Sequence, residues 1–210
     1  MQREEYNLVK NQTRKLLLDA GIKLFAKYDY NQVSNKMITD MVHVNSAMIS
    51  YYFQSKEKFY HAVVCYSSDL IINKFEKFRP TNLDTLNKEE LIEQISVGLD
   101  IYLEAFFSQD GQDFSIIYQR NLIEAANRDA LIEYNRPIDD VTSRYLQLFS
   151  AYYQKIGQHE TNVIFTMIKI ASLVYFMILH ERTVEVLIPD QMNAMKNLKN
   201  MLLQSVLCGY

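Results

Sequence analysis

Apolar residues recur along most of the chain at intervals of three and four positions, the spacing of one helix face. In residues 10–28, for example, Leu17, Ala20, Leu24 and Tyr28 form a single stripe. The same periodicity predicts five later helices, over residues 88–107, 114–126, 138–156, 163–179 and 190–207. No segment shows the strict alternation of a half-buried strand, so the pattern predicts an all-α fold.

Two short helical patterns lie between Ser34 and Lys56, on either side of a tight turn. Ser34 is suited to cap the first helix and Asn45 the second, because their side chains can accept hydrogen bonds from unpaired N–H groups of a first turn. Two compact helices joined in this way form a helix-turn-helix, whose second helix can enter the major groove of DNA.

Turn and capping residues mark the boundaries of the longer helices. Ser55 opens a helix that we expect to continue to Arg79 before Pro80, about 35 Å in length. Asn87, with Glu90 three residues later, predicts a capping pair, and the segment 108–113 is predicted to be a turn. Pro137 is compatible either with a helix start or with the interior of a longer helix.

The segment from Val163 to Leu179 is apolar almost all round. A transmembrane helix is one interpretation, but the run is short for a span and Lys169 stands in its middle. A helix buried between its own domain and a second subunit fits better. Together with the helix over 190–207, it predicts a homodimer held by the two C-terminal helices, with no membrane partner.

Composition refines this picture. Five glycines and three prolines leave few turn residues for strands. Residues 1–60 carry a net charge of +3 and residues 61–210 a net charge of −6, which suits an anionic partner at the N-terminal end. Two distant cysteines and the lack of an apolar run after the N-terminal charges favour a reduced, cytoplasmic protein.

Signals for enzymatic chemistry are weak. The scattered glycines provide neither a phosphate-binding loop nor a nucleophile elbow. The four histidines lack metal-ligand spacing, and acidic pairs such as Glu89-Glu90 stand at expected helix starts. We therefore predict no catalytic residue, no metal and no cofactor.

Residues 13–60 resemble the N-terminal domain of the TetR (tetracycline-repressor-like) family. The order and spacing of several short motifs carry the resemblance: Leu24-Phe25, Asp29-Tyr30, Ser34, Ile38-Thr39, His43-Val44-Asn45, Ile49-Ser50-Tyr51-Tyr52-Phe53 and Ser55-Lys56-Glu57. Asp29 and His43 replace glycines of the family pattern, so both are expected to adopt positive φ at a cost of about 1 kcal/mol. Ser50 replaces a tyrosine that touches a phosphate in family members.

The resemblance implies a DNA-binding domain over residues 1–55 and a helical effector-binding and dimerisation domain over residues 56–210. It also implies two groups of DNA contacts. Those expected to face the groove are Asn45, Ser46, Ala47, Met48 and Tyr51. Those expected to reach phosphates are Ser34, Asn35, Lys36, Ser50, Tyr52 and Lys56, although Tyr52 is equally suited to pack beneath the helix.

The resemblance also implies an effector pocket in the C-terminal helical domain. Aromatic side chains with polar tips would suit a mostly apolar small molecule there. The candidate residues are Phe106, Tyr118, Tyr145, Phe149 and Tyr175. The resulting hypothesis is a homodimeric repressor released from a palindromic double-stranded DNA operator by a small-molecule effector. The alternative is an all-helical ligand-binding protein or enzyme whose N-terminal trihelix is structural only.

Overall fold

The computed structural model describes residues 2–124, 128–158, 161–180 and 191–208, which contain nine helices and no strand. The all-α prediction is confirmed. The helices are α1 (Gln2–Lys27), α2 (Asn35–Met41), α3 (Ala47–Phe53), α4 (Lys56–Lys74), α5 (Lys88–Phe107), α6 (Gln109–Glu124), α7 (Arg128–Lys155), α8 (Thr161–Leu179) and α9 (Gln191–Cys208).

Cα proximity divides the chain into two compact units. The first contains Met1–Leu70 and Ile116–Tyr134, and its core is built mainly from the apolar faces of α1 to α4. At Gly21 the α1 backbone comes very close to α4, because a Cβ placed there would lie 2.5 Å from Val63 and 2.7 Å from Phe59. This close approach holds α1 directly against the start of α4.

The predicted caps are confirmed. The Ser34 hydroxyl accepts a hydrogen bond from Met37 N at 3.2 Å. Asn87 and Glu90 form a reciprocal capping box at the start of α5, with bonds of 2.8 and 2.9 Å. Each cap satisfies first-turn N–H groups that would otherwise lack a partner.

The prediction that the fourth helix continues to Arg79 is wrong, since α4 ends at Lys74. Tight i→i+3 bonds then curl the chain and bury Phe75 and Phe78 in the second unit. The buried Arg144 guanidinium donates to the carbonyls of both phenylalanines, at 3.0 and 3.2 Å. An arginine from α7 thereby satisfies carbonyls that a continuing helix would have paired.

The predicted turn over 108–113 is also wrong, because α6 already begins at Gln109. Ser108 takes an extended conformation and its hydroxyl accepts from Gly111 N at 3.3 Å, so one residue suffices to separate α5 from α6. Gly111 lies inside the first turn of α6, where a Cβ would stand 2.2 Å from the carbonyl oxygen of Ala105. Glycine at this position allows the α6 backbone to lie close to the end of α5; it does not mark a loop.

The second unit contains Ile71–Ser115 and Asn135–Tyr210, and within it α5 packs against α8 and α9. Pro137 lies in the interior of α7, which selects the longer-helix interpretation. Gly157, at φ 72°, follows the end of α7, where a glycine can close a helix.

Helix α8 has two apolar faces. Its inner face is buried against its own unit and consists of Val163, Thr166, Ile170, Val174 and Ile178. Its outer face exposes Ile164, Phe165, Ile168, Phe176 and Leu179, each 43% to 63% accessible. By length and composition alone, the stretch Asn162–Leu179 could cross a membrane. One such helix is weak evidence for a membrane span, because core helices of soluble proteins meet the same criteria.

Candidate nucleic-acid interface

The five-residue connection between α2 and α3, residues 42–46, depends on the backbone of His43. His43 adopts φ 56°, as predicted for its glycine-like position. The carbonyl of Thr39 accepts from both Val42 N and Val44 N, at 3.3 and 3.0 Å, which closes the end of α2 around this residue. The turn fixes the direction in which α3 leaves α2.

Replacing His43 by glycine should increase stability, because glycine adopts positive φ without the side-chain strain. We expect the free energy of unfolding to rise by about 0.5 kcal/mol, as some of the relief is offset by the greater entropy of glycine in the unfolded chain. Urea denaturation measures the change. His43→Ala is the control and should gain nothing; equal gains in both variants would show that strain at this residue is not the cause.

Asp29, the second glycine-like position, does not adopt positive φ, so that prediction is wrong. A left-handed residue normally helps to satisfy the last carbonyls of a helix, and here Arg120 from α6 does so instead. Its Nη1 donates to the carbonyls of Phe25, Ala26 and Tyr28 at 2.6, 3.3 and 3.1 Å. Its Nε lies 3.6 Å from a carboxylate oxygen of Asp29.

Arg120→Met should therefore destabilise the first unit, since it removes a shared donor from three helix-end carbonyls. We expect a loss of about 2 kcal/mol of unfolding free energy, in the range for hydrogen bonds from charged groups. Thermal and urea denaturation measure it. Arg79→Met is the matched control, because Arg79 is exposed and pairs with exposed Glu76 on the surface. Equal losses in the two variants would argue against the carbonyl contacts.

An open concavity of about 740 Å³ lies where the α1–α2 loop, α2, α3 and the start of α4 meet. Seven of the eleven predicted DNA-contact residues line it: Ser34, Asn35, Lys36, Ser46, Ala47, Ser50 and Lys56. Asn31 and Val33 complete the lining. Asn31, in the loop after α1, carries no cap or periodic signal, so the sequence pattern did not select it.

The other predicted DNA-contact residues on α3 differ in how exposed they are. Tyr51 projects outward with 55% of its surface accessible, and its ring meets Tyr52 edge-on at 4.9 Å. Met48 and Tyr52 are half-buried and pack against the core of the first unit. For Tyr52 this favours the packing role over the phosphate contact, and Phe53 is buried in the same core.

Asn45 and Lys56 are both engaged within the protein. The Asn45 side-chain oxygen accepts from Ala47 N at 2.8 Å, so it caps α3 as predicted. Lys56 Nζ donates to the carbonyl of Tyr30 at 2.6 Å and lies 4.2 Å above the Tyr30 ring. Burial lowers the Lys56 pKa below its ordinary value. Lys56 therefore joins the start of α4 to the α1–α2 loop, beside the concavity.

The predicted effector residues fall into different parts of the fold. Tyr118 belongs to the first unit, whereas Phe106, Tyr145, Phe149 and Tyr175 belong to the second. Phe106 meets Tyr175 at a centroid distance of 5.9 Å, and Tyr145 meets Phe149 at 6.0 Å.

Two aromatic residues outside the predicted effector set connect these pairs. The centroid of the Phe75 ring lies 6.2 Å from the centroids of both Phe106 and Tyr145. The Tyr102 centroid lies 4.6 Å from that of Phe106 and 5.8 Å from that of Tyr145. Tyr102 is four residues before Phe106 on one face of α5, a spacing that could have identified it. Burial raises the pKa values of Tyr102 and Tyr145 well above the ordinary tyrosine value, so both hydroxyls are neutral. The Tyr145 hydroxyl already donates to the Gly98 carbonyl at 2.6 Å.

Comparison with solved structures supports the fold over nearly the whole chain. HlyIIR, a hemolysin II transcriptional regulator, superposes with a TM-score of 0.63 at 19% identity, covering 92% of this chain and 98% of that one. The TetR-family regulator PfmR from Thermus thermophilus gives 0.62 at 15% identity, covering 90% and 97%. A transcriptional regulator from Saccharomonospora viridis, solved with choline, gives 0.64 at 16% identity, covering 91% and 94%.

Sequence comparison is more specific for the N-terminal part of the chain. No curated protein matches the chain. Residues 17–63, however, match the family described as bacterial regulatory proteins, tetR family. That range contains α2, the His43 turn, α3 and the first part of α4, which are the elements that build the concavity. Residues 17–63 thus match the tetR family of bacterial regulatory proteins, and the chain shares the fold of solved transcriptional regulators.

Proposed function

We propose that this regulator is a cytoplasmic homodimeric repressor that binds a palindromic operator and leaves it when a small, mostly apolar effector binds. The observation that supports this most directly is the shared surface of α2 and α3, where an exposed helix face adjoins a polar concavity. In this proposal, residues 1–55 bind DNA, and residues 56–210 bind the effector and form the dimer.

The concavity suits the DNA backbone. Lys36 is exposed in the first turn of α2, beside Ser34 and Asn35, and Ser50 approaches from α3. A lysine and hydroxyl groups at the edge of a reading helix can bind phosphates, which positions the protein without reading sequence. The adjoining α3 face would then lie in the major groove.

The outer face of α8 supports the dimer. Its five exposed apolar side chains form one stripe along the helix, which is more than a monomer surface usually leaves in water. Of the large hydrophobic side chains of α9 that the structure describes, only Met201 is exposed, so α8 would supply most of the interface and α9 the smaller share. Two reading helices must then lie about 34–36 Å apart, or a multiple of it.

The aromatic cluster of the second unit supports an effector site built around Phe106, Tyr145, Phe149 and Tyr175, with Tyr102 beside them. Neutral tyrosines and phenylalanine rings favour a mostly apolar molecule. An effector acts only through unequal affinity for the DNA-bound and released forms.

Fluorescence anisotropy of the chain against labelled DNA from upstream of its own gene tests the proposal. We expect preferential binding to one segment, at two protomers per site, and weaker binding at higher salt. The competing hypothesis, an all-helical ligand-binding protein or enzyme with a structural trihelix, predicts equal affinity for every duplex. Equal affinity for upstream and scrambled DNA would overturn the repressor proposal.

A further inference from the structure

We infer that the operator half-site is read mainly through thymine methyl groups, by Ala47 and Tyr51, rather than through guanine. This rests on the proposed function, since it concerns the DNA that the α3 face would meet. The face is defined by Ser46, Ala47, Ser50 and Tyr51, all exposed, at the spacing of one side of a helix.

The α3 face carries no arginine or lysine. Guanine is read most often by arginine or lysine, which donates to its O6 and N7 atoms. Neither residue occurs anywhere from Val42 to Ser55, the range that contains the turn, α3 and the link to α4. The nearest lysine after α3, Lys56, already donates to the Tyr30 carbonyl.

The neighbouring cations are also engaged elsewhere. Lys58 Nζ donates to the side-chain oxygen of Gln54 at 2.6 Å. The Arg14 guanidinium lies 5.2 Å from the centroid of the Phe53 ring. Lys36 remains exposed, but it belongs to α2 and lines the concavity, where a phosphate contact fits it.

The side-chain amides at the two ends of α3 are already hydrogen-bonded within the protein. Adenine is read by an asparagine or glutamine that both donates and accepts. The side-chain oxygens of Asn45 and Gln54 are already acceptors, from Ala47 N and Lys58 Nζ respectively. These bonds hold each amide oxygen within the protein and occupy one of its two lone pairs, which disfavours the two-bond contact with adenine.

The face offers two apolar groups for contact with DNA, flanked by two small hydroxyl groups. The Ala47 methyl and the Tyr51 ring can pack against the C5 methyl of thymine, which is exposed in the major groove. Ser46 and Ser50 can bond to any base or to phosphate and so discriminate little. The combination favours A·T pairs beneath α3.

In vitro selection with the full chain and a randomised duplex library identifies the half-site. Each thymine in it is then replaced by deoxyuridine, which removes only the methyl group and keeps base pairing. We expect A·T pairs at the constrained positions, and an affinity loss of roughly fourfold when one half-site loses its methyl contact and about fifteenfold when both do. Ala47→Gly should reduce the affinity loss caused by deoxyuridine, whereas Ser46→Ala, the control, should leave that loss unchanged.

Two contrary results are distinguishable. Selected half-sites whose constrained positions are G·C pairs, or full affinity after deoxyuridine replacement, would overturn the methyl-reading inference and leave the regulator function intact. Failure of the selection to enrich any sequence would instead count against the proposed DNA-binding function itself.

Discussion

Phe165→Glu combined with Ile168→Glu should convert the protein into a folded monomer that no longer binds its operator. Both side chains are on the outer face of α8, 63% and 53% exposed in the single chain. In the dimer each would be covered by the partner, so the substitutions would place four carboxylates in an apolar interface. Burying an unpaired carboxylate costs several kcal/mol, which should weaken the dimer at least about ten-thousandfold.

Sedimentation equilibrium with circular dichroism measures this result, because the first reports mass and the second reports folding. The control is Val97→Glu with Thr81→Glu, which adds the same charge at exposed positions of the second unit that do not belong to α8. The control should remain a dimer. A double α8 variant that keeps the dimer mass would show that this face is not the interface.

Lys36→Ala combined with Tyr51→Ala should weaken operator binding at least about hundredfold and leave fold and dimer unchanged. Each protomer loses one charged phosphate contact and one major-groove contact, and contacts of this kind contribute about 1–3 kcal/mol each. Both residues are exposed, and neither belongs to the core of the first unit. The expected loss is therefore in binding rather than in stability.

Lys88→Ala with Val97→Ala is the matched control, since it removes one positive charge and one exposed apolar side chain from α5. Anisotropy titrations of both variants on the same duplex give the comparison. If the α2–α3 pair and the α5 pair bind equally well, the trihelix is structural and the DNA contacts lie elsewhere.

The sequence predicted the all-α fold and the starts of α2 and α5, because the determinants of these features are local. Ser34 and the Asn87–Glu90 pair act within one turn of themselves, and apolar periodicity defines each buried face. The positive φ of His43 was predictable from the family resemblance, because His43 occupies a position where the family pattern has a glycine.

Asp29 was not predictable, because its conformation depends on a distant residue. Arg120 reaches the α1 carbonyls across more than ninety positions of sequence, and nothing near Asp29 signals that an arginine will satisfy them. Arg144 ends α4 at Lys74 in the same way, through the carbonyls of Phe75 and Phe78.

The candidate site shows the same division between local and distant causes. Family motifs selected the residues around the concavity, since their order in the chain follows the helix-turn-helix. The engagement of Lys56 with Tyr30 required the folded loop, because the two residues are 26 positions apart. Polar residues can thus be placed near DNA by motif, but which of their atoms remain available follows only from tertiary contacts.

Binding of operator DNA by the α2–α3 surface is tested most directly by the salt dependence of that binding. Anisotropy titrations of the wild type and Lys36→Ala, on the upstream duplex over a range of salt concentrations, give the slope of log affinity against log salt. A dimer that loses one phosphate-binding lysine per protomer should show a slope shallower by about 1.8. Binding that is indifferent to salt, or identical slopes for the two proteins, would contradict DNA binding by this surface.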